Sequence, residues 1–179
     1  ASNLDEAIDL FEKNMKYTYS VAWIDCFTKK TGNGRSLIYL GEHAKLSDLD
    51  EKKIELPLKI KKKFKISIPF YLPNCLMNKN LISIFNDIFY FIGKKKKATS
   101  LIDWDSFFYP LDSIANWNKI YGKKGFMQFQ CVLPINQSKK GLNAIIDCLS
   151  KSKTNKFLSV LKRFGKDESN FSFPMEGYT

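Results

Sequence analysis

Histidine is almost missing from this chain: His43 stands alone among 179 residues. Arginine is nearly as scarce, with Arg35 and Arg163 the only two. The four cysteines (Cys26, Cys75, Cys131 and Cys148) are widely spaced and form no CxxC pair. Structural zinc needs four thiolate or imidazole ligands brought close together, so these shortages argue against a metal site. They also leave no legible Ser/His/Asp or Cys/His arrangement for nucleophilic catalysis. So few thiols, none in paired spacing, point to a reducing compartment in which most pack as small hydrophobes. Apolar runs are short as well, and none approaches the roughly 20 residues of a spanning helix. No charged n-region, apolar h-region and small-residue cleavage site can be found. A soluble, cytoplasmic protein is the expectation.

What the chain has in excess is lysine. Its formal net charge is +11, and two runs carry most of it: Lys59, Lys61, Lys62, Lys63 and Lys65, then Lys94 to Lys97. Taking those nine from +11 leaves +2. Guanidinium forks are the usual tool for reading guanine and phosphate, and with two arginines no nucleic-acid partner is expected. Lysine clusters can instead draw a protein to an anionic membrane surface, at about 1 kcal/mol per residue, or they can be solvated loops. A non-catalytic lysine-rich module binding anionic surfaces is therefore one alternative. Hydrophobic residues at 44% and charged residues at 26% make an ordinary globular balance. Residues 1–179 suit a single domain.

Periodicity supplies the elements. Leu4, Ala7, Ile8 and Phe11 recur at helical spacing behind Ser2 and Asn3, which are candidate caps. Residues 17–25 alternate as a strand, and a turn at 31–34 leads to a second strand over 36–40. The Gly32-Asn33-Gly34 triplet has no helix pattern after it, so a nucleotide loop is not expected. Residues 47–73, broken by Pro57, Pro69 and Pro73, read as an irregular excursion. Residues 81–92 suit either a buried helix or a strand, and the lysine run after them suits a mobile loop. Residues 101–109 read as a strand ended by Pro110, with Asp103 and Asp105 on one face. Ile114, Trp117, Ile120 and Tyr121 suit a short helix closed by Gly122. Leu142, Ile145, Ile146 and Leu149 mark another amphipathic helix, and residues 171–173 start a further element. The fold class this predicts is α+β: a mainly antiparallel sheet with helices packed on one face.

Two strands carry the chemistry. Over 126–133, Met127, Phe129, Cys131 and Leu133 share an apolar face that reads as core. Gln128 and Gln130 point the other way, and two adjacent carboxamides can hydrogen-bond a polyhydroxylated ligand. Over 157–164, Lys162 shares a face with Leu158, Val160 and Phe164, an ammonium set among apolar groups. Such a lysine either snorkels to water or offers its charge to an anion. Plain solvent-facing strand faces explain both patterns too.

Several strings also fit together: Tyr19-Ser20-Val21-Ala22-Trp23-Ile24-Asp25, Gly34-Arg35-Ser36, and Tyr109-Pro110-Leu111-Asp112 with Trp117-Asn118. They continue with Tyr121-Gly122, Gly125-Phe126-Met127-Gln128-Phe129-Gln130, Val160-Leu161-Lys162-Arg163-Phe164-Gly165 and Ser172-Phe173-Pro174-Met175-Glu176-Gly177-Tyr178. In this order and spacing they resemble the substrate domain of FAD-linked oxidases of the vanillyl-alcohol oxidase superfamily. The resemblance covers most of the chain and is weakest over 47–99.

It implies a parent enzyme whose N-terminal FAD-binding domain, and a C-terminal remainder, are not in this chain. The chain would then be a substrate-binding fragment, holding no FAD of its own and inactive alone. The activity implied is oxidation of a sugar secondary alcohol, the sugar being linked to polyprenyl phosphate, with a reductase acting in sequence. A sugar-lactone oxidase shares the architecture and is the alternative within the enzyme class. The implied location is cytoplasmic, peripheral to the membrane. Carried over by position, the pocket falls on Trp23, Tyr39, Phe108, Gln128, Gln130, Lys162, Phe164 and Thr179. At Tyr39, Phe108 and Thr179 the residue types depart from the family pattern. No catalytic residue is assigned.

Overall fold

Asn3 opens the first helix as its side chain accepts a hydrogen bond from the Glu6 amide (2.8 Å). Asp5 and Glu6 in the first turn and Lys13 in the last suit the helix dipole. This helix, α1 (Leu4–Lys13), buries Leu4, Ala7 and Phe11. In the computed structural model the described residues are 1–27, 34–59, 65–96, 99–152, 157–166, 168, 170 and 175–179. The turn at 31–33, the lysines at 61–63 and 97, and the element at 171–173 lie outside them.

Strand β1 (Tyr19–Ile24) pairs antiparallel with β2 (Ser36–Gly41) on one side. On its other side it pairs with β6 (Val160–Phe164). Two short strands extend the sheet, β7 (Gly177–Tyr178) beside β6 and β5 (Leu133–Pro134) beside β7. The order β2-β1-β6-β7-β5 is antiparallel throughout, the α+β architecture predicted. Ala22, Ile24, Leu161 and Tyr178 face a core shared with Leu4 and Phe11 of α1 and with Leu142 and Ile146 of α5 (Ile135–Lys151). Burying a side chain of this size is worth about 1.5–3 kcal/mol, so this face organises the sheet. The opposite face, expected to carry no helix, meets α3 (Lys79–Lys95), whose Phe89 ring lies 5.1 Å from Trp23. A Cβ on Gly93 of α3 would come 2.3 Å from Leu37 Cδ1, so glycine lets helix and strand approach without that leucine turning aside. Asn78 decides the helix over the strand for 81–92: its Oδ1 accepts from the amides of Asn80 and Leu81.

The chain, read from the sequence as one domain, divides into two compact units. The first comprises Ala1–Glu42, Asn78–Lys95 and Gln128–Thr179; among the described residues it holds all the fully buried hydrophobic side chains. The second, His43–Met77 and Lys96–Met127, is built of short pieces. These are α2 (Glu51–Ile54), α4 (Trp104–Phe108), 3₁₀ turns, and a parallel pair of β3 (Ile66–Ser67) with β4 (Ile114–Ala115). Tyr121 and Phe126 stack at 4.3 Å there, with Trp117 5.4 Å from Phe126. Of the short helix expected over 114–121, only Trp117–Tyr121 is helical, as a 3₁₀ helix; Ile114 lies in β4, and Gly122 follows the helix at φ +71°.

Four expectations need correction. Residues 101–109 contain a helix rather than a strand, because the Asp103 carbonyl accepts from the Ser106 and Phe107 amides and starts α4. Residues 126–132 pair with no strand among the described residues, and Met127 and Phe129 are 98% and 85% exposed. Alternation permits a strand, but a neighbour must take its hydrogen bonds, and β7 meets only Leu133 and Pro134. Lys94 and Lys95 end α3 and do not lie in a loop. Of the cysteines only Cys26 is buried; Cys75 and Cys148 are exposed.

Candidate functional site

The register of the sheet aligns candidate residues across strands. Val21 of β1 pairs with Tyr39 of β2 on one side and with Lys162 of β6 on the other. Lys162 and Thr179 exchange both backbone hydrogen bonds, at 2.8 and 3.0 Å. Directly opposed residues project from the same face. Tyr39, Val21 and Lys162 therefore form one row across β2, β1 and β6, and Thr179, the residue after β7, continues it. At its end the Gln130 Nε2 donates to Thr179 Oγ1 (3.4 Å). The next row on that face is Leu37, Trp23 and Val160, where α3 packs. Phe164 lies two residues beyond Lys162, hence on the same face, opposite Gly177.

Six of the eight candidates thus gather on the sheet face away from the α1–α5 core. Trp23 is buried beneath Phe89, while Tyr39 and Lys162 are exposed and Phe164 and Thr179 half-buried. Although Tyr39 is 41% exposed, the partial burial of its side chain raises the phenol above its ordinary 10.0, and as a neutral hydroxyl it can donate. Strands lie about 4.8 Å apart, which places Tyr39 and Lys162 roughly 10 Å apart with Val21 between them. Lys162 shares its face with Leu158 and Val160, each 45% exposed, and Leu161 takes the buried side of β6. The register explains this, since Leu161 faces Ala22, which is fully buried.

Two candidates lie elsewhere. Gln128 is exposed in the unpaired run before Leu133. Phe108 ends α4 in the second unit and is not part of the row. That unit has a cleft of its own, about 520 Å³, lined by Lys65, Trp104, Tyr109, Asp112 and Ser113 among others. None of the eight candidates lines it.

The sequence reading passed over the groups that hold the face in place. Arg35 donates through Nε to Asp25 Oδ2 (2.9 Å) and through Nη2 to Asp87 Oδ1 (2.5 Å). Asn86 Nδ2 donates to the other Asp25 oxygen (2.9 Å). This cluster ties the end of β1 to α3 and so fixes Phe89 over Trp23. The other arginine, Arg163, donates to Glu12 (3.1 Å) and Glu176 (3.0 Å), and Tyr178 Oη donates to Glu12 (2.6 Å). Here α1 is tied to β6 and β7 from the core side. The signal was available, for both of the chain's arginines anchor the sheet. An aromatic chain also went unread: Trp23 meets Phe89, Phe89 stacks on Phe85 (5.8 Å), and Phe85 meets Phe157 (5.4 Å). Among the described residues no group of three or more His, Cys, Asp or Glu could hold a metal.

No family profile matches this chain. Over 182 aligned residues, 98% of the chain, it is 33% identical to the decaprenylphosphoryl-β-D-ribose oxidase of Mycolicibacterium smegmatis. It spans 38% of that protein's length, so its similarity is to one part of an oxidase.

Proposed function

We propose that this chain is the substrate-binding part of an FAD-dependent oxidoreductase that oxidises a secondary alcohol of a polyprenyl-phosphate-linked sugar. The observation that carries this reading is the row Tyr39–Val21–Lys162–Thr179, with Gln130 at its end. It lines up a phenol, an aliphatic side chain, a cation and a hydroxyl, with a carboxamide at its end. A sugar phosphate asks for that mixture: donors and acceptors for its hydroxyls, and an ammonium for its phosphate. The relative's name supports both an oxidase and a lipid-phosphate sugar.

Among the described residues no glycine-rich loop running into a helix N-terminus offers phosphate-binding amides, so this reading leaves the holding of the flavin to the rest of the parent enzyme. When bound, the flavin supplies the hydride-accepting centre. The rest falls to this chain. Lys162 neutralises phosphate, Gln130 hydrogen-bonds a sugar hydroxyl and Phe164 walls the ring, while Trp23, covered by Phe89, supports the face from below.

Lys162→Met in the flavin-loaded, full-length enzyme tests the reading. A charge-assisted contact is worth about 1.5–3 kcal/mol, so kcat/KM toward a polyprenyl-phosphoryl pentose should drop about ten- to a hundredfold. Unchanged kinetics would remove Lys162 from the site. Turnover of an aldonolactone with no effect of the substitution would favour the sugar-lactone alternative.

A further inference from the structure

The inner side of α3 is accounted for, with Ile82 and Asn86 buried and Phe89 against Trp23. Its outer side is not. Leu81, Ile84, Phe85, Ile88, Phe91 and Ile92 are each 43–59% exposed. They fall at i, i+3, i+4, i+7, i+10 and i+11, so they form one continuous stripe along the helix. Single exposed apolar residues are ordinary, but six in a line are not.

Charge says what would cover the stripe. Lys94 and Lys95 close the helix, Lys96 and Lys97 follow in sequence, and Lys79 opens it. The Lys95 ammonium lies 4.1 Å from the centre of the Phe91 ring, at the end of the stripe itself. The only acidic residue of α3, Asp87, is paired with Arg35. An apolar stripe that ends in ammonium groups and shows no free carboxylate matches the boundary between lipid headgroups and acyl chains. At 17 residues the helix is about 25 Å long. Among the described residues no helix is long and apolar enough to cross a bilayer.

From this we infer that α3 docks the protein onto an anionic lipid surface, lying in the plane of the interface. The stripe enters the acyl boundary and Lys94, Lys95 and Lys96 meet the headgroups. The other side of the same helix packs on Trp23, so docking would hold the candidate site beside the bilayer. Vesicle binding depends on neither flavin nor turnover, so its outcome is separate from that of the substrate reading.

The test is co-sedimentation of the full chain with vesicles of phosphatidylcholine alone and of an equal mixture with phosphatidylglycerol. Binding should favour the anionic vesicles and weaken as salt rises. Replacing Lys94, Lys95 and Lys96 with glutamine should weaken it about fivefold per lysine. Ile88→Asn with Phe91→Asn should weaken it at least about tenfold, with the melting temperature as the folding control. Equal affinity for both vesicle types, or full binding by the Ile88/Phe91 variant, would overturn the proposal. So would self-association in sedimentation that this variant abolishes while vesicles stay unbound, which would give the stripe to a second copy of the chain. Should the variant melt early, the lysine variant and the lipid comparison decide alone.

Discussion

Arg35 Nη2 lies 2.7 Å from Asp25 Oδ2, and the two side chains are 7% and 0% exposed. The same guanidinium reaches Asp87, which is 59% exposed. A buried pair broken on one side leaves the other charge without compensation, at about 3–5 kcal/mol. Arg35→Met should therefore lower the unfolding free energy by that amount in urea melts. Asp87→Asn, at the solvent-facing end of the same cluster, should change it by under about 1 kcal/mol. Equal effects would mean that the cluster does not act through burial.

The second cluster makes stability depend on pH at both extremes. Burial tends to raise the Glu12 carboxyl, but hydrogen bonds from Tyr178 and Arg163 outweigh it and hold Glu12 below its ordinary 4.5. A carboxylate lowered in the folded state stabilises above its unfolded value and loses that contribution as pH falls through the folded one. Wild type should thus lose stability below about pH 4.5 more steeply than Glu12→Gln. Parallel acid unfolding curves would contradict this.

At the alkaline end the sign reverses. Burial, with the Glu12 carboxylate beside it, raises Tyr178 well above its ordinary 10.0. A group raised in the folded state gives its full stabilisation below the unfolded value and loses it as pH rises toward the folded one. Wild type should weaken above about pH 10 more steeply than Tyr178→Phe, whose difference from wild type cancels the shared titration of the lysines. An identical slope in both proteins would show that Tyr178 ionises as freely folded as unfolded.

Leu161 and Phe129 both lie in sequences that alternate like strands, yet they are 3% and 85% exposed. Leu161→Ala should cost about 2–5 kcal/mol, as removal of core methyl groups does. Phe129→Ser and Lys162→Met should stay within about 0.5 kcal/mol, as exposed changes do. Thermal melts of the three variants check this, and a large loss in Phe129→Ser would mean that residues 126–132 are covered in solution.

Gly122 sits at φ +71°, where an added Cβ would come 2.9 Å from the Leu72 carbonyl oxygen and 2.1 Å from Asn74 Oδ1. The asparagine side chain can turn aside, but the backbone carbonyl cannot. Left-handed strain adds about 1–2 kcal/mol for any residue with a Cβ. Gly122→Ala should open the neighbouring bond from the Leu72 amide to the Lys119 carbonyl (3.0 Å). Faster hydrogen exchange at the Leu72 amide, about tenfold or more, is the expected readout. Unaltered exchange would mean that the loop absorbs the methyl group.

Elements whose evidence lies within a single turn or pleat were legible in the residues alone. The cap at Asn3 with its apolar repeat, the alternation of β1, the stop at Gly122 and the stripe Leu142, Ile146 each depend on neighbours a few positions away. The apolar content of residues 81–92 suits helix and strand alike, and a local cap at Asn78 decides it. Residues 101–109 and 126–132 alternate as strands do, a pattern that short helices and unpaired extended chain share.

Gln130, Lys162 and Trp23 could be singled out by residue type, by strand parity and by the family resemblance. Their assembly could not. Whether Lys162 faces Tyr39 or the core depends on which strand lies beside β6 and in which register, and a slip of one residue would turn it inward. That register follows from Leu161 against Ala22 and from α1 and α5 covering their side of the sheet. These contacts join residues more than a hundred positions apart, and only the folded chain brings them together.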